Sequence, residues 1–149
     1  MGYSDERLQL IFEKTDGHCH LCGKRLSWAN YGVFSARGAW EVEHSVPRAV
    51  GGTDHLNNLF AACISCNRDK KAGSTRAARA YHGRKAAPLS AAKKDEHRRA
   101  NTANGTAVGG LGALLFGASG PAAWFAAAVG AFVGHSIEPD PQKGRRRRR

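Results

Sequence analysis

Residues 40–71 read WEVEHSVPRAVGGTDHLNNLFAACISCNRDKK, and this stretch decides the fold. Trp40, Val42 and His44 alternate with Glu41 and Glu43, the period of two that marks a strand. Pro47 should end that strand, and residues 49–57, with Gly51-Gly52-Thr53-Asp54 at their centre, form a returning loop. The chain then reaches Cys63-x-x-Cys66. From about Cys63 to Lys71 it can turn helical, with Asn67, Arg68, Lys70 and Lys71 bringing polar and basic groups to one side. Strand, loop, strand, helix is the predicted order.

A second Cys-x-x-Cys pair, Cys19 and Cys22, lies upstream, so the four cysteines of the chain form two pairs separated by 40 residues. Two such pairs supply the four thiolates of a closed tetrahedral zinc site. The alternative is a pair of disulfides, which an oxidising compartment would favour. Residues 1–30 carry scattered charge and no apolar core of the length a signal peptide needs, which favours zinc and a cytoplasmic location. His18 and His20 flank the first pair; with four thiolates closing the site, both are expected at the surface.

The order Glu43-His44, Pro47, Gly51-Gly52, Asn58-Leu59 and Cys66-Asn67 resembles the HNH endonucleases, the ββα-metal nucleases, over roughly residues 8–75. The fold class this implies is α+β, a small zinc-stapled ββα-metal domain. The activity implied is metal-dependent hydrolysis of phosphodiester bonds in DNA (or RNA), leaving 5′-phosphate and 3′-hydroxyl ends. By the same resemblance His44 is the general base. An imidazole, with a reference pKa of about 6.5, suits that task near neutral pH. Asn58 takes the place of the family's middle Asn and would brace the loop that orients His44; Asn57 is the neighbouring alternative. Asn67 stands at the third signature position, so the pattern reads His-Asn-Asn. Glu43 and Asn67 would together hold one divalent ion, and their oxygen ligands favour Mg²⁺ or Mn²⁺. Glu43 departs from the Asp or His usual at its position and is a longer ligand.

Charge is unevenly spread along a chain of 149 residues with a net charge of +11. Residues 1–60 are close to neutral, with six Lys/Arg against seven Asp/Glu, whereas residues 61–100 hold eleven against three. A basic middle beside a nearly neutral module suits a polyanion. Arg48, Arg68, Lys70, Lys71, Arg76 and Arg79 are the expected phosphate contacts, fixing register without reading sequence.

Outside the central stretch, residues 4–14 predict a short helix capped by Ser4, with Leu8, Ile11 and Phe12 on one face. Residues 74–100 predict two short basic helices divided by Gly83 and Pro88, the second capped by Ser90. From Ala100 to Ile137 no Lys, Arg, Asp or Glu occurs, and small residues recur every four positions, as at Gly105, Gly109, Ala113 and Gly117. That spacing lets helix backbones approach closely, as in membrane helices. Four regions are thus expected: a nuclease domain over 1–75, a basic helical extension over 76–104, an apolar glycine-rich segment over 105–135, and a disordered polyarginine tail over 136–149. The apolar segment is expected to associate with a membrane or with itself, as one kinked span or as a hairpin turning at Pro121. Two other functions remain open: a zinc-ribbon nucleic-acid-binding module without catalysis, and a membrane-associated protein with a nuclease-like head.

Overall fold

A computed structural model describes residues 2–115 and 121–136. Its first helix, α1 (Asp5–Glu13), begins at Ser4, whose hydroxyl accepts the Arg7 N–H and so satisfies one of the donors left free at a helix start. Leu8 and Ile11 point into the core, and Phe12 packs edge-on against Trp28 and at a tilt against Trp40. After a long connection come β1 (Trp40–His44) and β2 (Leu59–Cys63), an antiparallel pair in which Trp40 faces Cys63 and His44 faces Leu59. The helix α2 (Ile64–Lys70) follows β2 directly, then α3 (Thr75–Tyr81), capped by Ser74. The predicted strand–loop–strand–helix order is therefore present.

The core is small and gathered around the hairpin: Ile11, Leu21, Trp40, Leu59, Ala61 and Ala62 are closed to solvent, together with Cys19. Burial of such side chains is the main driving force available to a domain of this size. One feature of β1 departs from simple alternation. Trp40 and Glu43 are its two buried residues, and Glu43 is as closed to water as the aliphatic core. A carboxylate can occupy that position only with partners for its charge.

The loop between the strands is shaped by Gly51 and Gly52. Gly51 has φ of +89°, the left-handed region, and closes a short helical turn over Arg48–Val50. A Cβ on Gly52 would lie 1.8 Å from the Val46 carbonyl oxygen, so no other residue fits there.

The chain divides into two compact units between Ala91 and Ala92. The first extends past the expected boundary at residue 75, because α3 and the turn after it pack into the hairpin unit. The second contains α4 (Ala91–Leu115) and α5 (Pro121–Ser136). Instead of a short second basic helix, α4 runs on through Ala100 into the apolar segment. Pro121 is the first residue of α5, the position where its missing N–H costs nothing. Among the described residues no helix is long and apolar enough to cross a membrane, so the membrane expectation gains no support. Residues 116–120, which would lead into the turn or kink expected at Pro121, and the polyarginine tail beyond residue 136 lie outside the described residues.

Candidate active site and metal centre

The first knuckle is a tight turn in which the Cys19 N–H donates to the Lys24 carbonyl and the Gly23 N–H to the Cys19 carbonyl, both at 2.8 Å. Gly23 has φ of +75°, and a Cβ there would meet the Arg84 guanidinium at 2.5 Å. The second knuckle is the join of β2 and α2, with Cys63 at the helix cap and Cys66 in the first turn. All four Sγ atoms lie within 4.8 Å of one another, and those of Cys22 and Cys63 are 3.8 Å apart. A tetrahedral zinc with bonds of about 2.3 Å has ligand–ligand edges of about 3.8 Å, so the donor set fits. The four thiols carry no disulfide. Hydrogen bonding to Cys19 draws the Cys22 thiol down to about 7, and hydrogen bonds with Cys19, Cys22 and Cys63 drive Cys66 upward. His82 adds a ring nitrogen 3.4 Å from Cys66 Sγ, a contact of the kind that steadies a metal thiolate.

His44 ends β1 and is the hinge between the sheet and the loop. Its neighbour Ser45 donates to the Asn58 carbonyl. The Asn58 side chain accepts the Val46 N–H at 2.7 Å and donates to the Val46 and Thr53 carbonyls at 3.0 and 2.8 Å. One amide thus ties both ends of the loop together. Asn57 instead has its backbone N–H on the His55 ring. The His44 imidazole is 16% exposed, and its Nε2 lies 2.8 Å from Asp54 Oδ1. Arg48 reaches the same carboxylate oxygen through Nη2 at 2.5 Å and Nε at 3.1 Å. Hydrogen bonds from His44 first, and then Arg48, hold the Asp54 carboxyl down to about 2.

Glu43 points the other way. Its Oε2 is 2.6 Å from His20 Nε2 and its Oε1 is 2.7 Å from Lys70 Nζ, with all three side chains essentially closed to water. His20 is stacked on Phe60 and receives Arg79: Nε donates to the His20 carbonyl at 3.0 Å and Nη2 lies 2.9 Å from the ring Nδ1. A guanidinium can only donate, so Nδ1 accepts and the ring proton sits on Nε2, aimed at Glu43. Burial pushes His20 below its ordinary value, which keeps it neutral. Burial alone would raise the Glu43 carboxyl, but His20 and Lys70 outweigh it and the net shift is downward.

Three expectations are corrected by this network. His20 is interior, and His18 is half-buried against the Thr15 carbonyl, so neither is the surface group expected. Lys70 and Arg79 are turned inward and are withdrawn as phosphate contacts. Glu43 and Asn67 are not brought together on an open ion site. Both Glu43 oxygens are committed, and Asn67 Nδ2 donates to Glu41 Oε1 at 2.9 Å. An ammonium group already stands at Glu43, so the two residues as arranged do not fit a shared divalent ion. Of the remaining expected contacts, Arg48, Arg68, Lys71 and Arg76 are exposed. Arg68 lies over the Phe34 ring, 4.3 Å from its centroid.

Sequence reasoning did not single out His20, Asp54 or the N-terminal residues Tyr3 and Arg7 that reach Asp54. No local signal marks His20, since strand alternation alone does not say that Glu43, its partner, faces the core.

A hairpin followed directly by a helix, with a four-cysteine cluster that could hold a metal ion and a histidine at the end of its first strand, defines a small ββα module. Residues 19–73 match the family model described as HNH endonuclease. Neither the curated proteins nor the solved structures give a significant match.

Proposed function

We propose that the protein is an endonuclease that hydrolyses phosphodiester bonds in DNA, with His44 as general base. The observation that carries this reading is the His44 imidazole. It lies at the mouth of a braced loop, partly open to solvent and beside an exposed guanidinium, inside the segment that matches the nuclease family. In this reading a water oxygen bonds to phosphorus as His44 takes its proton, and the 3′ oxygen leaves and is protonated by solvent. General-base assistance of this kind contributes on the order of 10²–10⁴ in rate. Asn58 holds the loop, Arg48 meets the charge that grows on the phosphate, and Arg68, Lys71 and Arg76 take neighbouring phosphates. Zinc would be held by Cys19, Cys22, Cys63 and Cys66, where it fixes the hairpin and α2 and takes no part in the chemistry.

The family resemblance implies a catalytic Mg²⁺ or Mn²⁺ as well, but no step is assigned to it, because Glu43 and Asn67 do not fit it as arranged. That same commitment of Glu43 supports a second reading, a zinc-stapled module that binds nucleic acid without cutting it. Incubation of purified protein with supercoiled plasmid, with and without Mg²⁺ or Mn²⁺, separates the two. Nicking by wild type that is lost in His44→Ala supports the nuclease. Salt-sensitive binding with no nicking under any condition supports the binding module.

A further inference from the structure

Asp54 is the most heavily contacted residue at the mouth of the site, and it is not among the residues on which the family resemblance rests. Its Oδ1 faces His44 Nε2 at 2.8 Å, Arg48 Nη2 at 2.5 Å and the Tyr3 hydroxyl at 3.2 Å. Its backbone carbonyl accepts from the Arg7 guanidinium. Tyr3, just before α1, and Arg7, within it, precede the segment matched to the family, so the N-terminal segment joins Arg48 in anchoring this residue.

The donor and acceptor inventory at His44 allows one assignment. An ionised carboxylate can only accept, so a contact of 2.8 Å requires the hydrogen on Nε2. Arg48 Nε also lies 3.1 Å from Nε2, but two donors cannot bond each other. Its hydrogen goes to Asp54 Oδ1, at the same distance of 3.1 Å. The His44 ring is left with its lone pair on Nδ1. We propose that Asp54 is the positioning residue for His44: it fixes the ring and its Nε2–H tautomer, leaving Nδ1 as the proton acceptor, and is itself clamped by Tyr3, Arg7 and Arg48. This rests on the reading of His44 as the base. A carboxylate behind the imidazole performs this service in nucleophilic triads on unrelated folds, which shows that the chemistry needs only the contact.

The test uses the full-length zinc-loaded protein and its Asp54→Asn, Asp54→Glu and Tyr3→Phe variants. Nitrogen-15 NMR of the histidine rings should report a single Nε2–H tautomer for His44 in wild type and a mixture in Asp54→Asn. In plasmid cleavage, Asp54→Asn should lower kcat on the order of 10- to 100-fold with KM within about twofold. Asp54→Glu should recover part of kcat, and Tyr3→Phe should lose less than Asp54→Asn. Zinc content and unfolding temperature show whether each variant is folded. If Asp54→Asn does not fold, Tyr3→Phe and the wild-type spectrum carry the test. An Nδ1–H tautomer in wild type, or wild-type kcat in folded Asp54→Asn, overturns the proposal. If the wild-type protein cuts no DNA, the nuclease reading fails by itself, and the tautomer measurement still decides whether Asp54 orients His44.

Discussion

Lys70 Nζ lies 2.7 Å from Glu43 Oε1, with both side chains 1% exposed, and the same ammonium donates to the His44 carbonyl at 3.1 Å. A buried ion pair thus holds the backbone of the residue that bears the candidate base. Removing one partner leaves the other charged, buried and unmatched, which costs about 3–5 kcal/mol. Glu43→Ala and Lys70→Met should each lower the unfolding free energy by that order. The double replacement Glu43→Leu/Lys70→Met should cost less than their sum. High Mn²⁺ should not rescue Glu43→Ala, because its defect is in the fold; rescue would return Glu43 to the role of ion ligand.

The same network makes stability depend on pH. The folded His20 value lies below its ordinary 6.5, so folding favours the neutral ring. That contribution is present above 6.5 and is lost as pH falls from there through the lowered folded value. Glu43 is also shifted downward, so its contribution is present above its ordinary 4.5 and is lost at still lower pH. Stability should therefore decline from about pH 6.5 downward, by up to about 1.4 kcal/mol per pH unit for each group titrating. His20→Gln should flatten the upper part of this decline. Chemical denaturation of zinc-loaded protein between pH 5 and 8 measures it, and a slope unchanged by His20→Gln would remove His20 from the account.

The elements of the hairpin unit were legible because each rests on a local signal: Ser4 caps α1, Pro47 stops β1, and Gly52 fits only without a side chain. The cysteine cluster was legible from spacing alone. The destination of Glu43 was not, because strand alternation says only that Glu43 and His44 face opposite ways. Which face is interior depends on His20, Lys70 and Arg79, which arrive from three other parts of the chain. For the same reason basic residues near α2 could not be sorted by sequence into surface contacts and buried partners. The length of α4 was hidden by composition, since the change from charged to apolar residues near Ala100 alters what a helix packs against and not whether it forms.

Zinc removal should unfold the hairpin unit. In small domains that are unfolded without metal, a structural zinc contributes on the order of 10 kcal/mol, more than a core of this size replaces. Elemental analysis should find one zinc per chain, and a strong chelator should abolish the tertiary signal of the tryptophans, two of which, Trp28 and Trp40, pack together beside Phe12. Folded, active protein without zinc would refute the assignment.

Loss of the candidate base should separate catalysis from assembly. His44→Ala should lose plasmid nicking by a factor on the order of 10²–10⁴ while zinc content and DNA affinity stay near wild type. Asn58→Ala should behave differently, since it removes three hydrogen bonds from the loop and leaves polar groups unpaired. Both stability and kcat should fall together in that variant. Equal nicking by His44→Ala and wild type would end the case for His44.

The sorting of cations into buried and exposed predicts which ones face DNA. Arg68, Lys71 and Arg76 are exposed, whereas Arg79 is spent on His20 and Lys70 on Glu43. Each Lys or Arg that neutralises a phosphate contributes about 0.9 to the log–log dependence of affinity on salt. Neutralising Arg68, Lys71 and Arg76 together should therefore flatten that slope by two to three units of charge release, about 2–3 in the plot. Arg79→Ala should leave the slope unchanged and lower the unfolding temperature, because what it loses is a buried partner of His20. Binding titrations on one duplex over a range of salt, with thermal unfolding alongside, give both numbers. A flattened slope in Arg79→Ala with an unchanged unfolding temperature would put Arg79 on the DNA, and the buried network would have to be redrawn without it.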